Sequence, residues 1–281
     1  MNIDQLVRDI ETQFTHQPTL EAVTLSEQEC QILAFPQQWL EAGSISKACF
    51  FQLNQTGLRH QPSDRFPYVK QQNDLSRGYL AARPAKPKGE VYRRFDVKLE
   101  KEISFRTFDF EKDLARFTQW MNNPRVAEFW EQAWTEDKLK VFIENRFSDG
   151  FTLPLIGEID GQAFGYFEVY WAAQDRLAPY YDGLEFDRGI HLLVGEENYR
   201  GKHYFDAWLR ALCHYAFLDD VRTQRIVMEP RFDNTKLFKR LASTAFEKQF
   251  EFNFPHKRSA LMMMQRSAFF DVAWAIESEE V

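Results

Sequence analysis

Cysteine is scarce in this chain. Cys30, Cys49 and Cys213 stand far apart, are odd in number and form no CxxC pair. That usage argues against a disulfide framework and against a thiolate zinc site, and it fits a reducing compartment. No metal is expected. No apolar run approaches the roughly 20 residues that a membrane span requires. The start, Met1-Asn2-Ile3-Asp4-Gln5, lacks the basic-then-apolar order of a signal peptide. A cytoplasmic protein with no membrane partner is the expectation. Positive charge is in deficit, with 35 Lys and Arg against 42 Asp and Glu. The net charge of −7 disfavours a broad nucleic-acid surface and leaves room only for a local basic patch.

What the chain does have is ordinary globular composition, 44% apolar and 27% charged, enough across 281 residues for one large domain or two small ones. Aromatic residues are abundant, 27 of them Phe, and they suit either a ring-rich core or a ring-lined pocket. The sequence shows no internal repeat and no low-complexity tract. Its best boundary is Ala82-Arg83-Pro84-Ala85-Lys86-Pro87-Lys88-Gly89, where prolines bias the chain to extended conformations. We therefore divide it into an N-terminal accessory segment or degenerate half-domain (1–90), a main domain (91–268) and a C-terminal tail (269–281). The first segment alone buries too little surface to be very stable, so it should pack on the main domain.

Beyond Phe95 helix-like and strand-like blocks alternate. Apolar spacing predicts helices over Lys112 to Met121, ending near Asn123-Pro124, and over Thr135 to Phe147. Leu153 to Ile159 and Ala163 to Trp171 read as strands joined by Asp160-Gly161, a hairpin turn dipeptide. Next come a strand from Gly189 to Gly195, a helix from Tyr204 to Leu218, a strand from Arg225 to Glu229 and a helix from Asn234 to Phe246. Two strands, Phe250 to Phe254 and Ser259 to Met264, close the series. The fold class is α+β, or mixed α/β.

Two strands carry candidate chemistry. Alternation puts Ile190, Leu192 and Val194 on one face of the first, and His191 and Leu193 on the other. On the second it puts Glu229 with Val227 and Arg225, opposite Ile226 and Met228. If the strands are neighbours, an imidazole and a carboxylate face one cleft and suit proton transfer. After the first strand, Tyr199-Arg200-Gly201-Lys202-His203 opens a helix whose N-terminal N–H groups suit a phosphate. By residue type alone, each also reads as structural: a hydrogen-bonded histidine, an ion-paired glutamate, a solvated basic turn.

The segment Tyr199-Arg200-Gly201-Lys202 resembles the acyl-CoA pyrophosphate loop of the GNAT superfamily. A longer series resembles that superfamily's siderophore-biosynthesis branch, the aerobactin, alcaligin and rhizobactin N-acyltransferases and their mycobactin relative. It runs through Pro154-Leu155-Ile156-Gly157, Glu168-Val169-Tyr170-Trp171-Ala172-Ala173, Tyr180-Tyr181 and Asp187-Arg188-Gly189-Ile190-His191. It continues through Leu218-Asp219-Asp220-Val221-Arg222-Thr223-Gln224-Arg225, Glu229-Pro230-Arg231-Phe232-Asp233-Asn234 and Phe254-Pro255-His256-Lys257-Arg258-Ser259-Ala260-Leu261. The resemblance implies a splayed central mixed sheet flanked by helices. It also implies transfer of an acyl group, acetyl by preference or succinyl and others, from acyl-CoA to an N-hydroxylated diamine or N6-hydroxylysine, giving a hydroxamate.

By position, His191 resembles that branch's general base, and an unperturbed pKa would suit the role. Glu229 matches an acidic partner, there an Asp, that either orients the imidazole or binds the acceptor's second amine. Leu192, Leu193, Val194, Arg200, Gly201, Lys202, His203 and Asn234 are expected to bind the cofactor, with Trp130, Tyr170, Trp171 and Glu229 on the acceptor side. The loop departs from the general pattern by having His203 and Phe205 where glycines are favoured, so Lys236, Lys239, Lys257 and Arg258 become candidate phosphate helpers. Transfer is expected to be direct, because Cys213 lies inside a helix and no other cysteine is near these motifs. A monomer or homodimer is expected. The alternatives are a GNAT enzyme of an unhydroxylated polyamine or lysine, separable by comparing putrescine with N-hydroxyputrescine, and a non-catalytic acyl-CoA-binding module, which would release no thiol.

Overall fold

The computed structural model describes residues 2–17, 19–73 and 78–272. An amphipathic helix, α1 (Ile3–His16), starts the chain, with the Asn2 side chain accepting from the Gln5 N–H as its cap. Eight strands then form one sheet: β1 (Glu90–Asp96), β2 (Lys101–Thr107), β3 (Thr152–Ile159), β4 (Gln162–Trp171), β5 (Arg188–Val194), β6 (Arg225–Met228), β7 (Phe246–Asn253) and β8 (Arg258–Gln265). Their spatial order is β7-β8-β6-β5-β4-β3-β2-β1, antiparallel throughout except for the parallel pair β5 and β6.

That pair positions the site. β5 and β6 share only two register partners, Arg188 with Ile226 and Gly189 with Val227. The rest of β5, to Val194, has no strand on that side, so the sheet opens at the C-terminal ends of its two parallel strands. In α/β sheets this is where ligands collect.

One face of the sheet carries α5 (Lys202–Asp219), which buries Trp208, Leu212, Tyr215 and Phe217. The other carries α2 (Phe110–Met121), α3 (Pro124–Trp130) and α4 (Glu136–Ser148). A short α6 (Thr235–Leu241) follows β6, and α7 (Arg266–Val272) follows β8. The β5 alternation appears in the packing: Ile190, Leu192 and Val194 join the large cluster under α5, while Leu193 joins Phe117, Trp120 and Tyr166 opposite.

Several boundaries differ from the sequence expectation. Asn123-Pro124 ends α2 but also begins α3, with the Asn123 side chain accepting from the Arg125 N–H and Pro124 at the first helical position. α6 stops at Leu241, where the Thr244 hydroxyl donates to the Leu241 carbonyl, and β7 begins at Phe246. The N-terminal segment shares the main core: Leu6, Ile10, Phe14, Phe50 and Phe51 belong to the cluster that holds Tyr92, Phe105 and Phe217. The Pro-rich stretch is tied down, with Lys86 donating to the Phe147 carbonyl and pairing with Asp149. α7 spans residue 268, and residues 273–281 of the expected tail lie outside the described residues. No described helix is long and apolar enough to cross a membrane.

Candidate active site

His191 projects from β5 into the opening between the strands, held at both ring nitrogens. Nδ1 lies 2.6 Å from Glu168 and Nε2 lies 2.8 Å from Glu229. Antiparallel pairing sets the first contact, because Glu168 of β4 is the direct register partner of His191. The second comes from the end of β6, where Glu229 follows Met228. Each carboxylate is further tied. Glu168 accepts from the Tyr166 hydroxyl at 2.7 Å and from Arg146 at 3.0 Å, and Glu229 accepts from the Tyr170 hydroxyl at 2.8 Å. Tyr170 also packs on the imidazole, with ring centroids 4.7 Å apart. It has room because residue 189 is glycine: a Cβ there would sit 2.0 Å from the Tyr170 ring.

This arrangement sets the charge state. Burial opposes charge on the ring, but the Glu229 and Glu168 carboxylates outweigh it and raise the His191 pKa to about 9. Burial likewise works to raise both carboxyls. The paired His191 outweighs it at each, with help from Arg146 and Tyr166 at Glu168 and from Lys257 and Tyr170 at Glu229, and holds both near about 2. Near neutral pH the resting site is therefore an imidazolium between two carboxylates. This corrects the expectation of an unperturbed histidine. Glu168 has no role by local motif, and only the register of β4 against β5 sets it opposite His191.

Two cavities meet at this point and share Phe129, Trp130, Leu192, Asn234 and Leu237. The larger, about 840 Å³, is lined by Leu192, Leu193, Val194, Arg200, Lys202 and Asn234 from the predicted set. It also gathers Arg125, Lys236, Lys239 and Arg240 against the acidic Glu128 and Asp206, a cationic pocket on a chain whose net charge is −7. Gly201 caps the start of α5 beside it, with no side chain on the first helical N–H groups. The smaller cavity, about 160 Å³, is lined by His191, Glu168, Glu229, Trp130, Arg176 and Lys257, among others.

Side chains cover the free edge of β5. Trp130 Nε1 donates to the Leu192 carbonyl at 3.3 Å, and Arg125 Nη2 donates to the Val194 carbonyl at 2.8 Å. N–H and C=O of one strand residue point the same way, so the Leu192 and Val194 N–H groups also face the opening.

Three expected residues lie elsewhere. Trp171 points to the opposite face of β4, with the Arg188 guanidinium 3.5 Å and that of Arg83 4.1 Å from its ring centroid, so it lines neither cavity. The pleat dictates this, because neighbours on a strand cannot both face one side. His203 is exposed on the outer side of the first turn of α5 and lines neither cavity. Arg258 pairs with Glu251 across the β7–β8 hairpin at 2.7 Å. Of the expected phosphate helpers Lys236 and Lys239 line the larger cavity, whereas Lys257 lines the smaller one. Cys213 is buried within α5. Among the described residues, no group of His, Cys, Asp and Glu could hold a metal ion.

Comparison with known proteins agrees with this architecture. The acetyltransferase (GNAT) domain matches residues 109–254. The chain is 46% identical over 192 residues to N(6)-hydroxylysine O-acetyltransferase of Escherichia coli, a match covering 68% of this chain and 61% of that protein. It is 37% identical over 196 residues to N(5)-hydroxyornithine:cis-anhydromevalonyl coenzyme A-N(5)-transacylase of Beauveria bassiana, covering 68% and 43%. The chain thus spans about two fifths to three fifths of these relatives' lengths. Among solved structures, an uncharacterised protein of Bacillus halodurans superposes with a TM-score of 0.63 at 28% identity, over 67% of this chain and 96% of its own. The chain belongs to the GNAT acetyltransferase family and groups with acyltransferases of N-hydroxylated amino acids.

Proposed function

We propose that the protein transfers an acyl group from acyl-CoA to the nitrogen of an N-hydroxylated amine, forming a hydroxamate of the kind used in siderophores. The observation that carries this reading is the juncture itself: a large cationic cavity and a small polar one meet at an imidazole clamped by two carboxylates. The names of the relatives support the acceptor class, and the GNAT fold supports the donor class.

The larger cavity fits coenzyme A in size and charge. Arg200, Lys202, Lys236, Lys239 and Arg240 would meet its phosphates beside the start of α5. The β5 edge would accept the pantetheine arm as an added strand, with the Leu192 and Val194 N–H groups available to a carbonyl. Trp130 and Arg125 hold the edge carbonyls and would yield them to the arm. Bound acyl-CoA supplies an activated thioester, and the chain's own residues align the acceptor nitrogen with it and take up its proton. Alignment in a ternary complex contributes much of such an acceleration.

In its neutral form, the minor one near pH 7, His191 takes the proton as the N–C bond forms, and the C–S bond breaks to release the coenzyme A thiolate, which leaves as free thiol. Glu229 orients it, since its two oxygens are already engaged by His191 and Tyr170. A hydroxylamine suits this site because it is less basic than an alkyl amine and stays neutral near pH 7, so the only proton to be moved is the one released on attack. The preferred donor is acetyl-CoA, because bulky rings surround the juncture.

The test is a thiol-release screen crossing three acyl-CoAs with N6-hydroxylysine, N-hydroxyputrescine and N-hydroxycadaverine, alongside their unhydroxylated parents. Thiol release with the hydroxylated compounds, accompanied by the iron(III) colour of a hydroxamate, supports the reading. Preference for the plain amines overturns it. Thiol release without colour would instead indicate transfer to oxygen.

A further inference from the structure

The Pro-rich stretch at residues 82–89 reads in the sequence as a linker, yet it reaches into the support of the active site. Its contact is with the last turn of α4. A helix ends with carbonyls that have no partner within it. Here the Lys86 ammonium donates to the Arg146 and Phe147 carbonyls and pairs with Asp149, the residue that caps the helix. The helix dipole also favours a cation at this end. Asp149 in turn accepts from the Phe151 and Thr152 N–H groups at 2.9 and 2.8 Å, which fixes the turn from α4 into β3.

The residue so held is Arg146. Its guanidinium lies over the Phe142 ring, 4.6 Å from the centroid, and lines the smaller cavity. Its Nε donates at 3.0 Å to one oxygen of Glu168, and the other oxygen of that carboxylate meets His191. Glu168 therefore divides its charge between a guanidinium and an imidazole. The fixed charge of Arg146 weakens the hold of Glu168 on the ring proton, as a second cation on one anion must. The other charged or titratable groups near the ring are Tyr166 and Tyr170 of β4, Asp175 and Arg176 in the loop after it, Glu229 and Arg231 after β6, and Lys257 in the β7–β8 hairpin.

We propose that Arg146 is a positioning residue that keeps His191 able to release its proton, and that Lys86 sets Arg146 by anchoring the last turn of α4. The linker is thus part of the support of the site. The proposal rests on His191 as the base of the acyl-transfer reading above, but the titration of the ring is measurable without turnover.

The test follows the His191 imidazole by NMR against pH, identified among the 6 histidines by its loss in His191→Gln. Wild type is compared with Arg146→Met, Arg146→Lys, Lys86→Met and the double variant Lys86→Met/Arg146→Met. Arg146→Met should move the titration to higher pH by about 0.5–1.5 pH units, the effect of losing one charge from a partly buried network. Arg146→Lys, which keeps the charge, should restore most of it. Lys86→Met should move it the same way by less, and the double variant should match Arg146→Met alone. Only the neutral ring accepts a proton, so kcat/KM at pH 7 should fall by about 3- to 30-fold in Arg146→Met, with the high-pH plateau unchanged. Arg83→Met is the control. Arg83 shares the linker but stacks on Trp171, on the opposite face of β4, and donates to Gln174, so its loss should leave the titration in place. An unmoved or lowered titration in Arg146→Met overturns the proposal. Additive shifts in the double variant would show Lys86 acting by its own charge and overturn its positioning role, as would an equal shift in Arg83→Met. If the ring titrates as expected but no acyl-CoA and N-hydroxyamine pair is turned over, the acyl-transfer reading falls and the support of His191 stands.

Discussion

At the scale of single residues, the site is organised by charge rather than by exposure. An imidazole between two buried carboxylates is costly to disturb, because Glu168 would be left to Arg146 alone and Glu229 would lose its ion-pair partner. In the proposed mechanism His191 thus has two duties, moving the proton and neutralising Glu168 and Glu229. His191→Ala should lower kcat by about two to four decades. Acyl-CoA binding followed by calorimetry should remain measurable in the variant, since His191 lines only the smaller cavity. Near-normal turnover in the folded variant would reduce it to a structural residue. His191 and Glu229 were legible in the sequence because strand alternation and the family resemblance both pointed to them. Glu168 was not, because its role depends on the pairing of two strands and on no local motif. Lys86 and Arg146 come together only through the packing of the Pro-rich stretch on the end of α4, which no spacing rule foretells.

At the scale of elements, the short parallel contact between β5 and β6 makes the opening, and α3 lines it. The sequence reading had only a stop at Asn123-Pro124, since proline ends one helix and starts another equally well. Missing α3 meant missing Arg125 and Phe129, although Trp130 was anticipated. α3 presents Arg125 and Trp130 to the very edge that a bound pantetheine arm would use. Titrating acyl-CoA should therefore change the emission of Trp130, as its indole N–H exchanges the Leu192 carbonyl for another partner. Comparison with Trp130→Phe isolates the signal among the 7 tryptophans. An identical response in that variant would mean that the indole keeps its carbonyl when the cavity is filled.

At the scale of the whole molecule, the N-terminal segment shares the main core, as its own poverty of apolar surface required. Its polar anchor is a buried cluster in which Arg94 of β1 pairs with Glu11 of α1 at 2.7 Å and with Asp96 at 3.2 Å, while Arg210 of α5 also reaches Asp96, at 2.7 Å. Removing one member strands its partners, so Arg94→Ala should cost about 3–5 kcal/mol of stability. Denaturant unfolding measures this, and a loss below ~1 kcal/mol would show the cluster to be hydrated.

In the proposed mechanism the doubly held His191 accepts the acceptor's proton. With its pKa raised to about 9, the ring is charged below that pH and becomes a competent base only above it. The deciding measurement is kcat/KM against pH, with one N-hydroxyamine, for wild type and Glu168→Gln. The rate should rise with pH, half-maximal near 9 and level above it, and removal of the Glu168 charge should move that limb to lower pH. A flat profile from pH 7 to 10, or a limb unmoved in Glu168→Gln, would contradict the account.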